Sequence, residues 1–148
     1  MKNKLSTTER GYIAGIIDGE GYFGLLNNHH EYPRPCLKIG NTNHNVIIWL
    51  KTKVGGSITG QKRKNGRSVY YELCLSSNFI RSLLPQIQNI LIIKKTEAEI
   101  INEALIANKN QNRPSNIRYQ MLKELQKKLM NMHSGHADYF RRGVAEGN

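Results

Sequence analysis

Two periods of apolar and polar residues alternate along the chain, and the changes between them mark its elements. From Thr7 to Asp18 only two glycines interrupt a helix, which Ser6-Thr7-Thr8-Glu9 opens as a capping box. Residues 22–28 and 34–42 then alternate as strands, joined by the polar run Asn28-His29-His30-Glu31-Tyr32-Pro33. Phe23 and Leu25, and Leu37 and Ile39, form the inward set; Gly24, Leu26 and Asn28, and Arg34, Cys36, Lys38 and Gly40, face outward. Asn41-Thr42-Asn43 stops the second strand and caps a helix over about 44–53, where Trp49 between Ile48 and Leu50 is a core candidate. Gly55-Gly56 ends that helix. Ser57–Lys64 and Ser68–Ser76 form a hairpin turning at Asn65-Gly66. In it Tyr71, Leu73 and Leu75 look inward, while Ser57, Thr59, Gln61 and Arg63, and Tyr70, Glu72 and Cys74, look outward.

From 78 onward the period is helical. Phe79, Ile80, Leu83, Leu84, Ile87, Ile90 and Leu91 form one apolar face, with Pro85 expected to distort it. Ala98, Ile101, Ala104 and Leu105 mark a helix over about Lys94–Asn108. After a polar loop with Pro114, Ile117, Leu122, Leu125 and Leu129 mark a last helix over about 116–131. The tail over 132–148 shows no clear pattern beyond Ser134-Gly135. Helix, two strands, helix, two strands, then helices is the order of an α+β domain, an antiparallel sheet with helices on one face.

The length of 148 residues suits a single domain with its own core. Against 11 Asp+Glu stand 22 Lys+Arg, a formal net charge of +11 that suits a polyanionic partner. The hairpin tip Lys62-Arg63-Lys64-Asn65-Gly66-Arg67 concentrates that charge. A lipid surface is the other polyanion, but there is neither a long basic amphipathic helix nor a transmembrane run. Met1-Lys2-Asn3-Lys4-Leu5 lacks the apolar stretch of a signal peptide, and Cys36 and Cys74 do not make a disulfide framework. An intracellular location, cytoplasm, nucleoid or organelle, is expected, and secretion is not.

The chemistry concentrates in Ile13-Ala14-Gly15-Ile16-Ile17-Asp18-Gly19-Glu20-Gly21. Gly11 and Gly15 lie four apart on one face, which Ala14 widens, so another backbone can approach closely. Asp18 and Glu20 fall at the negative end of the helix macrodipole, where a carboxylate calls for a cation. Two such helices packed through their glycines would bring two pairs of acids together, a site for a divalent metal with oxygen ligands. A solvated acidic helix end is the plain reading of any one acid; the whole pattern outweighs it.

That stretch resembles the LAGLIDADG motif of homing endonucleases position by position. Ile stands for two of its leucines, Gly19 for its second alanine and Glu20 for its second aspartate. One motif is present, which in this family implies a homodimer, with Gly11, Ala14 and Gly15 at the interface. The resemblance, traceable to about residue 108, implies an αββαββα fold whose saddle-shaped antiparallel sheet lies on DNA with the helices on its other face. It implies an intron-encoded, sequence-specific endonuclease that hydrolyses both strands of a partly palindromic site of roughly twenty base pairs, leaving short 3′ overhangs. It places metal at Glu20, with the Gly19 carbonyl and Asp18 as further candidates, Asp18 having an equal claim to a capping role. The metal implied is Mg²⁺, with Mn²⁺ or Ca²⁺ able to substitute in binding. Lys94 is the basic residue implied near the scissile phosphate, with Lys95 as competitor. Asn43, six residues before Trp49, is an amide expected to hold solvent near the metal. DNA contacts would come from the outward positions Gly24, Leu26, Asn28, Arg34, Lys38, Ser57, Thr59, Gln61, Arg63, Tyr70 and Glu72, and from Lys64 and Arg67 at the hairpin tip. An RNA maturase and a DNA-binding regulator without catalysis are the alternatives. His133, His136 and Asp138 fit spare groups of a mobile tail better than metal ligands, and Cys36 and Cys74 fit packing residues better than a zinc pair. No G-x-S-x-G, P-loop or dinucleotide fingerprint is present.

Overall fold

The computed structural model describes residues 4–27, 32–62, 69–109 and 115–145, with the backbone alone at 61, 62 and 135–145. Its elements run α1 (Thr7–Glu20), β1 (Gly21–Leu26), β2 (Arg34–Asn41), α2 (His44–Val54), β3 (Ser57–Lys62), β4 (Val69–Ser76), α3 (Ser77–Ile87), α4 (Lys95–Lys109) and α5 (Ser115–Ala145). The turn Asn65-Gly66 lies outside the described residues. The strands form one antiparallel sheet in the order β1-β2-β4-β3. The architecture is the α+β arrangement that the periods predict.

Alternation sorts the two faces of the sheet. Phe23, Leu37 and Leu75 make one inward row, and Ile39, Leu73 and Ile58 the next. Phe23, Leu37, Ile39 and Leu73 are wholly buried. They are covered by Ile13, Ala14 and Ile17 of α1, Ile47, Leu50 and Val54 of α2, and Ile80, Leu83, Leu84 and Ile87 of α3, all within one core cluster. Burial of such side chains contributes about 1.5–3 kcal/mol each, so this shared face holds the layers together. β1 is an edge strand, and α5 packs along it. The Gln126 Nε2 donates to the Leu25 carbonyl at 2.5 Å, which satisfies an acceptor that an open edge would leave to solvent or another chain.

Both sides of the α1 capping box are made: Glu9 N donates to Ser6 Oγ at 3.2 Å and Ser6 N to Glu9 Oε2 at 2.8 Å. The far end passes into β1 with no intervening loop, and the Gly21 N–H still donates to Ile17 O. A Cβ on Gly21 would stand 2.5 Å from Ile17 O and 3.0 Å from Ile17 Cα. Gly21→Ala is therefore expected to destabilise the fold by about 1–3 kcal/mol. The check is a lower urea midpoint with an unchanged denaturant slope.

Four expectations need correction. Trp49 is only partly buried and meets Tyr12 edge-on at 5.2 Å, since its side of α2 faces α1 near the surface rather than the sheet. The apolar face over Phe79–Leu91 is shorter than expected: α3, with Pro85 inside it, runs only to Ile87, Leu91 is buried beyond the helix, and Ile90 is exposed. The last helix does not stop near 131. A single glycine costs a helix only about 1 kcal/mol, and the α5 backbone continues through Ser134-Gly135 to Ala145. Ala14, at 1 % exposure, turns into the core with Ile13 and Ile17 and is not on the open glycine face.

Candidate functional site

The site begins where α1 ends. Glu20 is the last helical residue and is exposed, and the last turn of α1 contains no basic residue. Among the described residues no cation stands within ion-pair distance of it. Its charge adds to the negative end of the macrodipole, an arrangement that favours a bound cation. Exposed Gly19 precedes it, and a Cβ there would meet nothing within 4 Å.

Asp18 has a different employment. Its Oδ2 accepts from Ile92 N at 2.8 Å and its Oδ1 from Lys94 N at 2.9 Å. Lys94 in turn accepts from Ala98 N through its carbonyl at 2.9 Å, so it stands at the entrance of α4. Asp18 thus clamps the α3–α4 turn to the end of α1 and offers its charge to the positive end of α4. Of the two readings open for Asp18, the structure displays the capping one, each oxygen accepting one backbone amide.

Lys94 is tied down at its tip as well. Its Nζ lies 3.2 Å from Oε1 of Glu97, and the Glu97 side chain is 3 % exposed. His133 Nε2 reaches the same oxygen at 3.5 Å, and the His133 ring lies 4.9 Å from that of Tyr22. Lys95 is exposed and has no ion-pair partner among the described residues. The two lysines that the sequence left in competition thus differ in their surroundings: Lys94 is held at backbone and tip, and Lys95 is exposed. Glu97 is the residue that sequence reading missed. His133, expected to be a spare group of a mobile tail, belongs to α5 and lies against Glu97, while the side chains of His136 and Asp138 lie outside the described ones.

Asn43 caps α2. Its Oδ1 accepts from Asn45 N at 3.0 Å, and its own N–H donates to Asn41 Oδ1 at 2.8 Å. It borders a shallow depression with Tyr12, Asn45, Val46 and Trp49. The carbonyl of the side chain is committed to the cap, and its NH₂ has no protein partner among the described residues.

The outward face of the sheet is built in rows. Tyr22, Lys38, Cys74 and Ser57 form one, Gly24, Cys36 and Ser76 the next, and Gly40, Glu72 and Thr59 a third. Lys38 Nζ pairs with Glu72 Oε1 at 3.3 Å. Burial disfavours the Lys38 charge, but the hydrogen bond and the charge of Glu72 outweigh it and hold the pKa above the ordinary lysine value. Burial pushes the Cys36 thiol up to about 11, and burial with Glu72 raises that of Cys74. Two glycines are covered by tyrosines rather than open: a Cβ on Gly24 would stand 2.7 Å from Tyr22 Cε1, and Tyr70 lies directly over Gly40. Leu26, Arg34, Cys36, Lys38, Ser57 and Cys74 line a depression of about 470 Å³ that Ser76, Ser77 and Asn78 extend. Tyr22 and Ser76 were visible by strand parity; Asn78, at the start of α3, was not. Asn28, Arg63, Lys64 and Arg67 lie outside the described residues, as does the side chain of Gln61.

No protein-family model and no curated protein matches the chain. Solved structures do. The chain superposes on an archaeal intron-encoded homing endonuclease, I-Vdi141I, complexed with DNA, with a TM-score of 0.69 at 20 % identity, covering 84 % of this chain and 83 % of that one. For the homing endonuclease I-CvuI, in complex with its target in the presence of calcium, the TM-score is 0.63 at 19 % identity, covering 82 % and 80 %. For the homing endonuclease I-TnaI it is 0.66 at 15 % identity, covering 90 % and 99 %. With the stretch Ile13–Gly21 supplying α1 and its acidic end, and the likeness extending over most of the chain, this protein has the LAGLIDADG homing endonuclease fold.

Proposed function

We propose that the protein is an intracellular, sequence-specific DNA homing endonuclease that acts as a homodimer and cleaves both strands of its site with a divalent metal. The observation that carries this reading is the uncompensated Glu20 carboxylate at the end of α1, next to a turn that Asp18 clamps so as to bring in Lys94. Relatives in fold, I-Vdi141I and I-CvuI, were solved with DNA.

The donor set fits a hard cation: an exposed carboxylate and an exposed backbone carbonyl, both oxygen. Glu20 with the Gly19 carbonyl would hold Mg²⁺, and Mn²⁺ or Ca²⁺ would replace it in binding. Such an ion supplies an activated water and stabilises the charge that develops on the phosphate. The protein's own part is electrostatic and positional. Lys94, an ammonium anchored through its backbone, stands to hold negative charge on the attacked phosphate. The free NH₂ of Asn43 would orient a water. The outward rows would carry the base contacts, with Arg34, Lys38, Thr59 and Tyr70 as described members and Gln61, Arg63, Lys64 and Arg67 continuing them toward the hairpin tip. One chain supplies one Glu20, so cutting two strands takes two chains, and two sites across the duplex would leave short 3′ overhangs.

The longest strands, β2 and β4, have eight residues each. At about 3.3 Å per residue they span about 26 Å. Duplex rises about 3.4 Å per base pair, so each subunit covers about eight base pairs and the dimer, with its central pairs, roughly twenty. The test is selection of cleaved duplexes from a randomised library with Mg²⁺ and no RNA. The expected result is one partly palindromic site of that length, cut in both strands. Binding without cutting would leave the regulator, and activity only toward a structured intron RNA would leave the maturase.

A further inference from the structure

We infer that Glu97 is the positioning residue of the catalytic lysine: its buried carboxylate holds the Lys94 ammonium at the Glu20 end of α1, and His133 of α5 lies against that carboxylate. The inference rests on the reading that Lys94 acts at the scissile phosphate.

Glu97 is the one buried charged or polar residue among those described. A carboxylate taken out of water needs a cation or several hydrogen bonds, and an apolar residue in its place is often as stable or more so. A carboxylate built purely for stability would use both oxygens. Here Oε1 faces Lys94 and His133, while Oε2 has no hydrogen-bond partner among the described residues. The arrangement is therefore costly as architecture and makes sense as a way of fixing the lysine. Lys94 is held at both ends, its backbone N–H by Asp18 and its Nζ by Glu97. A four-carbon stem fixed in this way loses its rotational freedom before DNA arrives, which is how orientation lowers a barrier. An ammonium has three donors, and Glu97 uses one, so two remain for a phosphate. The Lys94 side chain is 19 % exposed, enough to be reached from the site.

His133 completes the enclosure. Its Nε2 lies 3.5 Å from Glu97 Oε1 without making a hydrogen bond, and its ring packs on Tyr22 at the start of β1. The charged and titratable groups around Glu97 are thus Lys94 on its own side, Tyr22 from β1 and His133 from α5, with Asp18 of α1 behind the Lys94 backbone. Through His133, α5 bears on the site, although it contacts no DNA in the reading given above.

The test is a double-mutant cycle on the full chain, with single-turnover cleavage and equilibrium DNA binding measured separately. Lys94→Met alone is expected to lower cleavage by about a hundredfold or more, and Glu97→Gln by about ten- to a hundredfold, as expected for a reacting group out of place. DNA affinity should stay within about twofold of the parent in both, since neither group reads the sequence. The double variant should cut no more slowly than Lys94→Met within a factor of about three, because Glu97 acts only through the lysine. Glu97→Asp, which keeps the charge, should recover part of the rate lost in Glu97→Gln. A second readout needs no DNA: the Lys94 ammonium should give a protected ¹H–¹⁵N signal in the parent that vanishes in Glu97→Gln. Losses that multiply, parental cutting by Glu97→Gln, or an ammonium signal indifferent to Glu97 would overturn the inference while leaving Lys94 catalytic. Parental cutting by Lys94→Met would instead overturn the Lys94 reading, and the inference with it, as would a parent that cuts no duplex at all.

Discussion

Glu20→Gln is expected to bind its DNA site as tightly as the parent, or tighter, while cutting it at least about a hundredfold more slowly, the scale on which loss of a group that stabilises transition-state charge is felt. The substitution keeps the side-chain shape and one carbonyl oxygen, and it removes the charge that would hold the metal. Base recognition is assigned to the strands, so affinity has no reason to fall; a carboxylate near phosphates repels them, so it has some reason to rise. Stability should move the same way. Glu20 sits at the negative end of α1 with no basic residue in the last turn. Removing such a charge is worth about 0.3–1 kcal/mol to a helix. A variant that is more stable, binds equally well and does not cut is hard to explain unless Glu20 serves the chemistry. Binding and Mg²⁺-dependent cleavage would be measured on one duplex at one salt concentration, because DNA affinity depends on salt.

Asp18 supplies the contrast. Replacing it with Ala orphans the Ile92 and Lys94 amides and releases the turn that carries Lys94. That should cost about 1–3 kcal/mol of stability along with activity. Near-parental cutting by Glu20→Gln would move the metal to another acid and refute the assignment of Glu20.

The same comparison shows what the sequence made legible. The capping box, the strand parities and the passage of α1 straight into β1 are local: each is decided by residues within one or two turns, and each stands in the structure as read. The misses are all matters of long-range packing. Glu97 in the first turn of a helix has the pattern of a solvated acid; in the structure it is buried, with His133 of α5 against it. The turn that carries His133 lies past the expected helix end near 131, and nothing local announces that the helix continues through it. Ala14 was misplaced for a related reason. Small size is a property of a residue, but the direction it faces is set by the whole helix, and Ile13 and Ile17 turn Ala14 inward with them. Lys94 and Lys95 are indistinguishable as neighbours in a basic pair; the Asp18 clamp, 76 residues away in sequence, separates them.

The correction at Ala14 sharpens the other large expected effect. What α1 leaves open is a narrow stripe of Gly11, Gly15 and Gly19, each exposed, where an added Cβ would meet nothing of its own chain within 4 Å. Tyr12, 53 % exposed, flanks it. Such a stripe is of no use to the monomer, since every residue type but proline would make a better helix, by up to about 1 kcal/mol per position. It suits an isologous contact in which the same helix of a second copy crosses at close range. That crossing would bring Glu20 of each copy toward one centre, as cutting two strands requires. Gly15→Leu separates the two contributions. Within the monomer the new side chain has room, and replacing glycine favours the helix, so the thermal midpoint of the subunit should not fall. Between subunits the bulk would prevent the backbones from closing. The parent is expected to run as a dimer by sedimentation in the absence of DNA, and the variant as a folded monomer. On DNA it should nick slowly or not at all, because neither subunit places its partner. A folded Gly15→Leu that remains fully dimeric would show that the chains meet elsewhere, and would leave the glycines of α1 without the role given to them here.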